Sequence, residues 1–327
     1  MFLRFPLVYL SFIFVLFSSC DQSSVKPSAS GKTGELLIVC DSLIRKSDAM
    51  QRLNDSLTFS FPGIPQHEPY FRTVNIDPSG FRNILQHHRN VLIVEKGPLP
   101  DGKKFSLTFK NDLYAKPQLV MHLRAVDDSA LDSAVSVMSA AVIDKLSREE
   151  LKRTVSAYTG MREMKVTREL SELTGITIPL TDDYFIASKE ADYTWVRRET
   201  VHMSQGFQIY RFPYVSDTVF SAQSVIGLRD SLSQKHIPGP SVNSYMTTDK
   251  VYPVSYRNTT INGQYAVEVR GLWRTEGDFM GGPFITYLIH DQAKGALIFI
   301  DAFIYAPRFK KREYVKQMEA MVHASVF

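Results

Sequence analysis

The densest cluster of side chains that could do chemistry lies in one short segment of the second half of the chain. The segment contains Arg270, Trp273, Arg274, Glu276 and Asp278, followed by two glycines and a proline. A tryptophan ring can stack on a flat ligand, and the charged groups can form hydrogen bonds or act as acid and base. In the alternative structural interpretation, the tryptophan fills the core and the glycines permit a turn. We therefore treat these five residues as a candidate binding surface.

A second cluster with similar chemistry begins at Trp195 and Arg197 on one predicted strand. Side chains alternate along a strand, so Trp195, Arg197 and Glu199 share one face. Ion pairing across neighbouring strands is the ordinary role of such charges. If this strand pairs with the strand that carries Trp273, both tryptophans and several arginines would line a common groove. Trp195 and Arg197 therefore join the candidate binding surface.

An enzymatic alternative depends on Glu276 and Asp278, acting as acid and base on a glycan or cell-wall substrate. It requires these carboxyl groups to converge in a pocket, with a raised pKa on one of them. A glycosidase pair also needs a defined separation between its carboxyl groups, which spacing along the chain does not determine. We therefore assign no catalytic residue.

The signatures of common cofactors and catalytic centres are missing from the sequence. It contains no HExxH zinc motif, phosphate-binding glycine loop or dinucleotide fingerprint, and Ser241 does not lie in a GxSxG elbow. The formal net charge is only +4, and the basic residues are scattered. We predict no cofactor, no metal and no nucleic-acid partner, and we favour a binding protein over an enzyme.

The apolar pattern predicts an α+β scaffold for these residues. Runs of β-branched and aromatic residues bounded by turn residues predict strands between residues 35 and 305, in one or more largely antiparallel sheets with flanking helices. Apolar residues at helical spacing from Leu131 to Leu146 predict a helix, and the capping-box spacing of Ser147 and Glu150 predicts that a second one starts there. Aromatic strands followed by helices recur, which suggests repeated β-β-α units.

The N-terminus predicts export and a lipid anchor. Arg4 precedes an apolar run, Leu7–Phe17, which is shorter than the roughly 20 residues that a membrane span needs. Ser18 and Ser19 then precede Cys20, as in a lipobox. We predict a signal peptide over residues 1–19, a lipidated Cys20 with a flexible tether over 20–31, and an α+β domain over 32–327, with a subdomain boundary near 160–180. The domain is expected outside the cytoplasm, anchored to the outer membrane rather than the inner one.

An aspartate followed by serine or threonine and then a small or aliphatic residue recurs along the chain. The hydroxyl residues of this pattern are Ser42, Ser56, Ser129, Ser133, Thr218 and Ser231. The pattern resembles the O-glycosylation acceptor of exported Bacteroidetes proteins. Aspartate and serine also cap helices, which explains several of these positions equally well.

Several motifs together resemble an uncharacterised family of Bacteroidetes envelope lipoproteins, the domain of unknown function numbered four-eight-three-seven. The motifs include 30–41, 62–69, 88–95, 116–118, 195–200, 204–206 and 237–240, and the most distinctive is the segment Arg270-Gly-Leu-Trp-Arg through Asp278-Phe-Met-Gly-Gly-Pro-Phe284. The resemblance implies a lipoprotein of the cell envelope. It implies no activity, ligand or catalytic residue.

Three functions therefore remain open. The leading hypothesis is a membrane-anchored, non-enzymatic envelope protein that binds an envelope protein or a glycan near Trp195 and Trp273. The alternative is the glycan- or cell-wall-directed enzyme that would use Glu276 and Asp278. An assembly factor for other envelope proteins would instead expose an apolar patch.

Overall fold

The computed structural model describes residues 26–327 and confirms the predicted α+β class. The predicted signal peptide and Cys20 lie outside the described residues. The far end of the predicted tether is held against the N-terminal half, because Ser28 and Ser30 form parallel bridges with Lys116 and His88. None of the described helices is long and apolar enough to cross a membrane.

The N-terminal half is built on a five-stranded sheet in the order β2-β1-β3-β5-β4. The strands are β1 (Glu35–Val39), β2 (Arg72–Ile76), β3 (Asn90–Lys96), β4 (Phe105–Asn111) and β5 (Leu119–Ala125). Only β4 is antiparallel to its neighbour, so this sheet is mostly parallel and differs from the antiparallel arrangement expected from sequence. A helical crossover, residues 42–57, connects β1 to its parallel neighbour β2.

Three helices accompany this sheet: α1 (Ser42–Arg45), α2 (Asp48–Leu57) and α3 (Asp128–Thr159). The predicted apolar stripe of α3, from Leu131 to Leu146, is buried against the sheet. The predicted break at Ser147 is wrong. The Ser147 hydroxyl donates to the Ile143 carbonyl inside one continuous helix, and Glu150 instead accepts a hydrogen bond from the Gly34 amide at 2.9 Å.

The C-terminal half is built on an antiparallel eight-stranded sheet in the order β10-β11-β12-β13-β8-β7-β6, with β9 beside the end of β11. The strands are β6 (Tyr184–Lys189), β7 (Tyr193–Glu199), β8 (Ser204–Pro213), β9 (Tyr245–Thr248), β10 (Ser255–Ile261), β11 (Gln264–Glu276), β12 (Gly281–Asp291) and β13 (Ala296–Tyr305). The suggested repetition is present in the element order. A hairpin precedes a helix at β4-β5, β7-β8 and β12-β13.

Helices cover both faces of the eight-stranded sheet. The helices are α4 (Lys165–Thr174), α5 (Ala222–His236) and α6 (Arg312–His323). The first and last pack on one face, and α5 packs on the other. Alternation along β11 therefore places Val267, Val269 and Trp273 on the α5 face, while Glu268 and Arg270 point towards α6.

The two halves meet at α6. The carboxylate of Glu68, from the N-terminal half, accepts hydrogen bonds from the backbone amides of Lys311 and Arg312 at 2.6 and 3.2 Å. These amides lie at the start of α6, where backbone donors have no partner within the helix. The connection between the halves, residues 160–164, lies between α3 and α4.

Candidate functional site

A cleft of about 610 Å³ opens at one end of the eight-stranded sheet, and both tryptophans of the chain line it. It lies between the β7–β8 turn, the segment after α5 and the segment after β13. Its apolar lining includes Trp195, Trp273, Phe303 and three methionines, at positions 203, 246 and 280. A concave apolar surface with a few polar groups is the usual form of a binding site.

Trp195 and Trp273 reach the same cleft although their strands do not pair. Three strands separate β7 from β11 in the sheet, and both tryptophans lie on its α5 face. Phe303, from β13, fills the space between, with its ring centroid 6.1 Å from that of Trp273. Gly206 is required beneath this ring, because a Cβ there would lie 2.4 Å from Phe303.

Trp273 is a fixed wall of the cleft. The residue is only 3% exposed, and its Nε1 donates a hydrogen bond to the Ile304 carbonyl at 3.2 Å. The opposing residue on β12 is Gly282, where a Cβ would lie 2.0 Å from the same carbonyl oxygen. Gly281 and Gly282 therefore lie in strand β12 and not in the turn expected from sequence, and Gly282 makes room for the Ile304 carbonyl that accepts from the indole.

Trp195 and Arg197 form a second wall with unused donors. The Arg197 guanidinium lies 4.6 Å from the centroid of the Trp195 ring and forms an ion pair with Glu199. Trp195 Nε1 and Arg197 Nε are buried, and neither has a hydrogen-bond partner among residues 26–327. Burial lowers the pKa of the Arg197 guanidinium. Buried hydrogen-bond donors in protein cores usually have an acceptor. This wall of the cleft therefore has two donors whose hydrogen-bonding capacity is unused in the described structure.

Arg270 does not belong to this site. It lies on the α6 face of the sheet and donates to Glu268 at 2.6 Å and to Glu319 at 2.7 Å. Burial alone would raise the pKa of Glu268, but Arg270 and Arg257 hold it at about 2. Every charge of this cluster has an opposite partner, so the arginine predicted to bind a ligand instead joins the sheet to α6.

Arg274, Glu276 and Asp278 are also separate from the cleft. Arg274 and Glu276 form an exposed ion pair at 2.5 Å, and Asp278 lines a neighbouring shallow hollow. A hydrogen bond from the Ser241 hydroxyl, at 2.5 Å, lowers the pKa of Asp278. The enzymatic alternative needed a raised pKa in a pocket, and Asp278 has the opposite shift. The geometry therefore gives that alternative no support.

Exposed apolar side chains at the tips of connections line the cleft and the hollow beside it, and sequence reasoning did not identify them. Val201 and Phe309 line the cleft and are 94% and 42% exposed, and Phe279 lines the hollow and is 105% exposed. We call these three residues the apolar rim. Its signal in the sequence is a single valine or phenylalanine inside an otherwise polar turn, which periodicity does not detect.

The predicted glycosylation acceptors lie away from the cleft, on helices or single helical turns. The hydroxyl residues Ser42, Ser129, Ser133, Thr218 and Ser231 are exposed, and Ser56 is half-buried. Aspartates of the pattern also act locally: Asp41 caps α1, and Asp230 accepts hydrogen bonds from the backbone amide and hydroxyl of Thr248. Glycosylation stays a prediction. Among the described residues, no group of three or more His, Cys, Asp or Glu side chains could hold a metal ion.

The fold and the cleft define a class of protein: an α+β chain of two sheets with a cleft of mixed polar and apolar lining at one end of the larger sheet. Residues 163–324 match the model of a family described as a domain of unknown function, DUF4837. The predicted resemblance to this uncharacterised family is confirmed for these residues, and its envelope-lipoprotein part stays a prediction. Residues 29–159 match a second domain of unknown function, DUF8532, and the motifs before residue 160 lie there.

Other comparisons give no activity. No curated protein matches the sequence. Among solved structures, the crystal structure of LpqN, described as involved in cell envelope biogenesis of Mycobacterium tuberculosis, gives a TM-score of 0.29 at 14% identity. The match covers 46% of this chain and 82% of that chain. A likeness at this level supports no conclusion about function.

Proposed function

We propose that this chain is a lipid-anchored protein of the cell envelope that binds another envelope protein and carries out no reaction. The observation that carries the proposal is the apolar rim around a cleft lined by both tryptophans. The lipid anchor is supported by the sequence before Asp21, and we propose the outer membrane as its location.

The rim and the cleft form one continuous surface. Val201 and Phe309 line the cleft, while Phe279 lines the neighbouring hollow. The cleft and the hollow share Trp273 and Met280. Large apolar side chains in contact with water are unfavourable, and a group of them around a concavity marks an interaction surface. Aromatic anchors beside a pocket are also the usual centre of a protein interface.

Site-specific photocrosslinking in native envelope tests the proposal. A photoreactive phenylalanine analogue replaces Phe279 in one variant and Val215 in the control. Val215 is 83% exposed but lies at the opposite end of the sheet, after β8. We expect one discrete protein adduct from position 279 and none from 215.

The adduct must then be identified and its binding measured with purified proteins. Val201→Asp should weaken that binding at least about tenfold, because it places a charge in the apolar rim. Val215→Asp should change it less than about twofold. Adducts that are the same from both positions, or binding unchanged by Val201→Asp, would contradict the proposal.

The anchor is tested separately by metabolic labelling with a clickable fatty acid. The wild-type chain should incorporate the label and remain with membranes, and Cys20→Ala should do neither. A labelled Cys20→Ala variant, or an unlabelled wild-type chain, would remove the anchor from the proposal and leave the binding surface to be judged by crosslinking.

A further inference from the structure

Two hydrogen-bond donors in the walls of the cleft are unpaired as far as the structure describes the chain. Trp195 Nε1 and Arg197 Nε are buried and have no partner in the described part of the chain. Trp195 as a whole is only 9% exposed. Buried donors are costly when unpaired, and a ligand that supplies an acceptor would remove that cost.

Positive charge also exceeds negative charge around the cleft. The lining includes the guanidinium groups of Arg197 and Arg308, and Arg308 is exposed at the mouth. Glu199 supplies the one carboxylate of the described lining, and it already forms an ion pair with Arg197. Arginine binds carboxylates through parallel hydrogen bonds, so the complementary ligand group is a carboxylate.

The other residues that line the cleft do not suit a sugar as the ligand. Stacking on a sugar ring needs an open aromatic face, but Trp273 and Trp195 are 3% and 9% exposed. The described lining contains no asparagine or glutamine, and such planar groups are the usual partners of sugar hydroxyls. The methionines at 203, 246 and 280 instead provide a soft surface that adapts to apolar side chains.

We infer that the cleft binds an extended peptide segment of the partner protein in which an acidic side chain lies next to a large apolar one. The carboxylate of the bound peptide is held by Arg308 and by Arg197. Arg197 gives up its ion pair with Glu199 when it binds this carboxylate. The apolar side chain packs among the methionines and Phe303. This inference deepens the proposed function and rests on it.

A displayed library of seven-residue peptides tests the inference, using the full chain without its signal peptide and with Cys20→Ala. We expect enrichment of Asp or Glu beside Phe, Leu, Met or Trp. Arg308→Glu should reverse the charge preference towards Lys or Arg, whereas Arg168→Glu, an exposed arginine on α4, should not.

Binding of an enriched peptide is then measured by intrinsic fluorescence, because both tryptophans of the chain line the cleft. Arg308→Glu should weaken binding of the acidic peptide about tenfold, and Arg168→Glu should weaken it less than about twofold. The spectral change should persist in Trp273→Phe and in Trp195→Phe, since each variant keeps one reporter in the cleft.

Three results would overturn the inference. They are enrichment without acidic residues, an unchanged charge preference in Arg308→Glu, and a fluorescence response to an oligogalacturonate but to no peptide. A crosslinked partner at Phe279 together with any of these results leaves the proposed function standing. Absence of a specific adduct at Phe279 contradicts the proposed function itself.

Discussion

Arg270 and Arg197 have the same chemistry, and the sequence placed both in one candidate surface, yet the structure uses them in opposite ways. Arg270 is buried and donates to two carboxylates, Glu268 and Glu319. Arg197 lies over an indole, pairs with Glu199 and keeps a buried Nε without a partner in the described residues. The comparison teaches that the state of the neighbours separates a structural arginine from a candidate ligand-binding one.

The same contrast extends to the two faces of the eight-stranded sheet. On the α6 face, Glu268 also accepts hydrogen bonds from the Tyr287 hydroxyl at 2.8 Å and from Arg257 at 2.6 Å. This face is closed by a helix and by charges that neutralise one another. The α5 face is closed along most of its length, but it opens at one end into the cleft. Stability should therefore depend on the first face and binding on the end of the second.

The largest expected effect is loss of the Glu268 carboxylate. Glu268→Gln leaves Arg257 and Arg270 with Glu319 as their remaining carboxylate partner in the cluster. Removing one partner of a buried ion pair costs about 3–5 kcal/mol. We expect that loss in urea unfolding. Glu276→Gln is the matched control, because its exposed pair with Arg274 should contribute less than about 1 kcal/mol. Equal losses of unfolding free energy in both variants would contradict the difference drawn between the buried cluster and the exposed ion pair.

Acid unfolding gives a second test of the same carboxylate. The pKa of Glu268 is about 2 in the folded chain, below its ordinary value of 4.5. A depressed folded pKa stabilises the protein above pH 4.5, and this contribution is lost as pH falls from 4.5 towards 2. Wild-type stability should therefore fall more steeply than that of Glu268→Gln in this window. Parallel curves for the two proteins would contradict the assignment.

The two tryptophans allow a smaller and sharper comparison. Replacing either with phenylalanine removes similar apolar surface, but only Trp273 loses a hydrogen bond, the one to the Ile304 carbonyl. Trp195→Phe instead removes a buried donor that has no partner within residues 26–327. Trp273→Phe should therefore cost about 1–2 kcal/mol more than Trp195→Phe in chemical unfolding. A larger loss for Trp195→Phe would show that its indole N–H is satisfied in solution.

Much of the fold could be predicted because it follows from local periodicity. The stripe of α3 and the strands of apolar and aromatic residues are set by burial on one or both faces. Strands β9 and β10 have weak signals in the sequence, because β10 is largely exposed and β9 has only four residues, so neither has an apolar run. The parallel order of the first sheet depends on crossovers that periodicity does not encode.

The members of the candidate site could be predicted only where the alternation of side chains along a strand determines which face each one occupies. Alternation placed Trp195, Arg197 and Glu199 on one face, and all three line the cleft. The same rule places Trp273 and Arg270 on opposite faces of β11, because they are three positions apart in the strand. The sequence does not predict that Trp195 on β7 and Trp273 on β11 line one cleft, because three strands lie between them and the cleft depends on tertiary packing. The apolar rim was missed because isolated apolar residues in turns have no period.

The smallest expected effect concerns the acidic turn of β11–β12. Glu276→Gln combined with Asp278→Asn should change unfolding free energy by less than about 1 kcal/mol, because both carboxylates are on the surface. Asp278 is held in its ionised form by the Ser241 hydroxyl, so it is a poor proton donor at neutral pH. We therefore expect the double variant to keep the crosslink from position 279. Loss of that adduct from a folded double variant would move the acidic turn into the binding surface, and it would show that exposed, paired charges also contribute to recognition here.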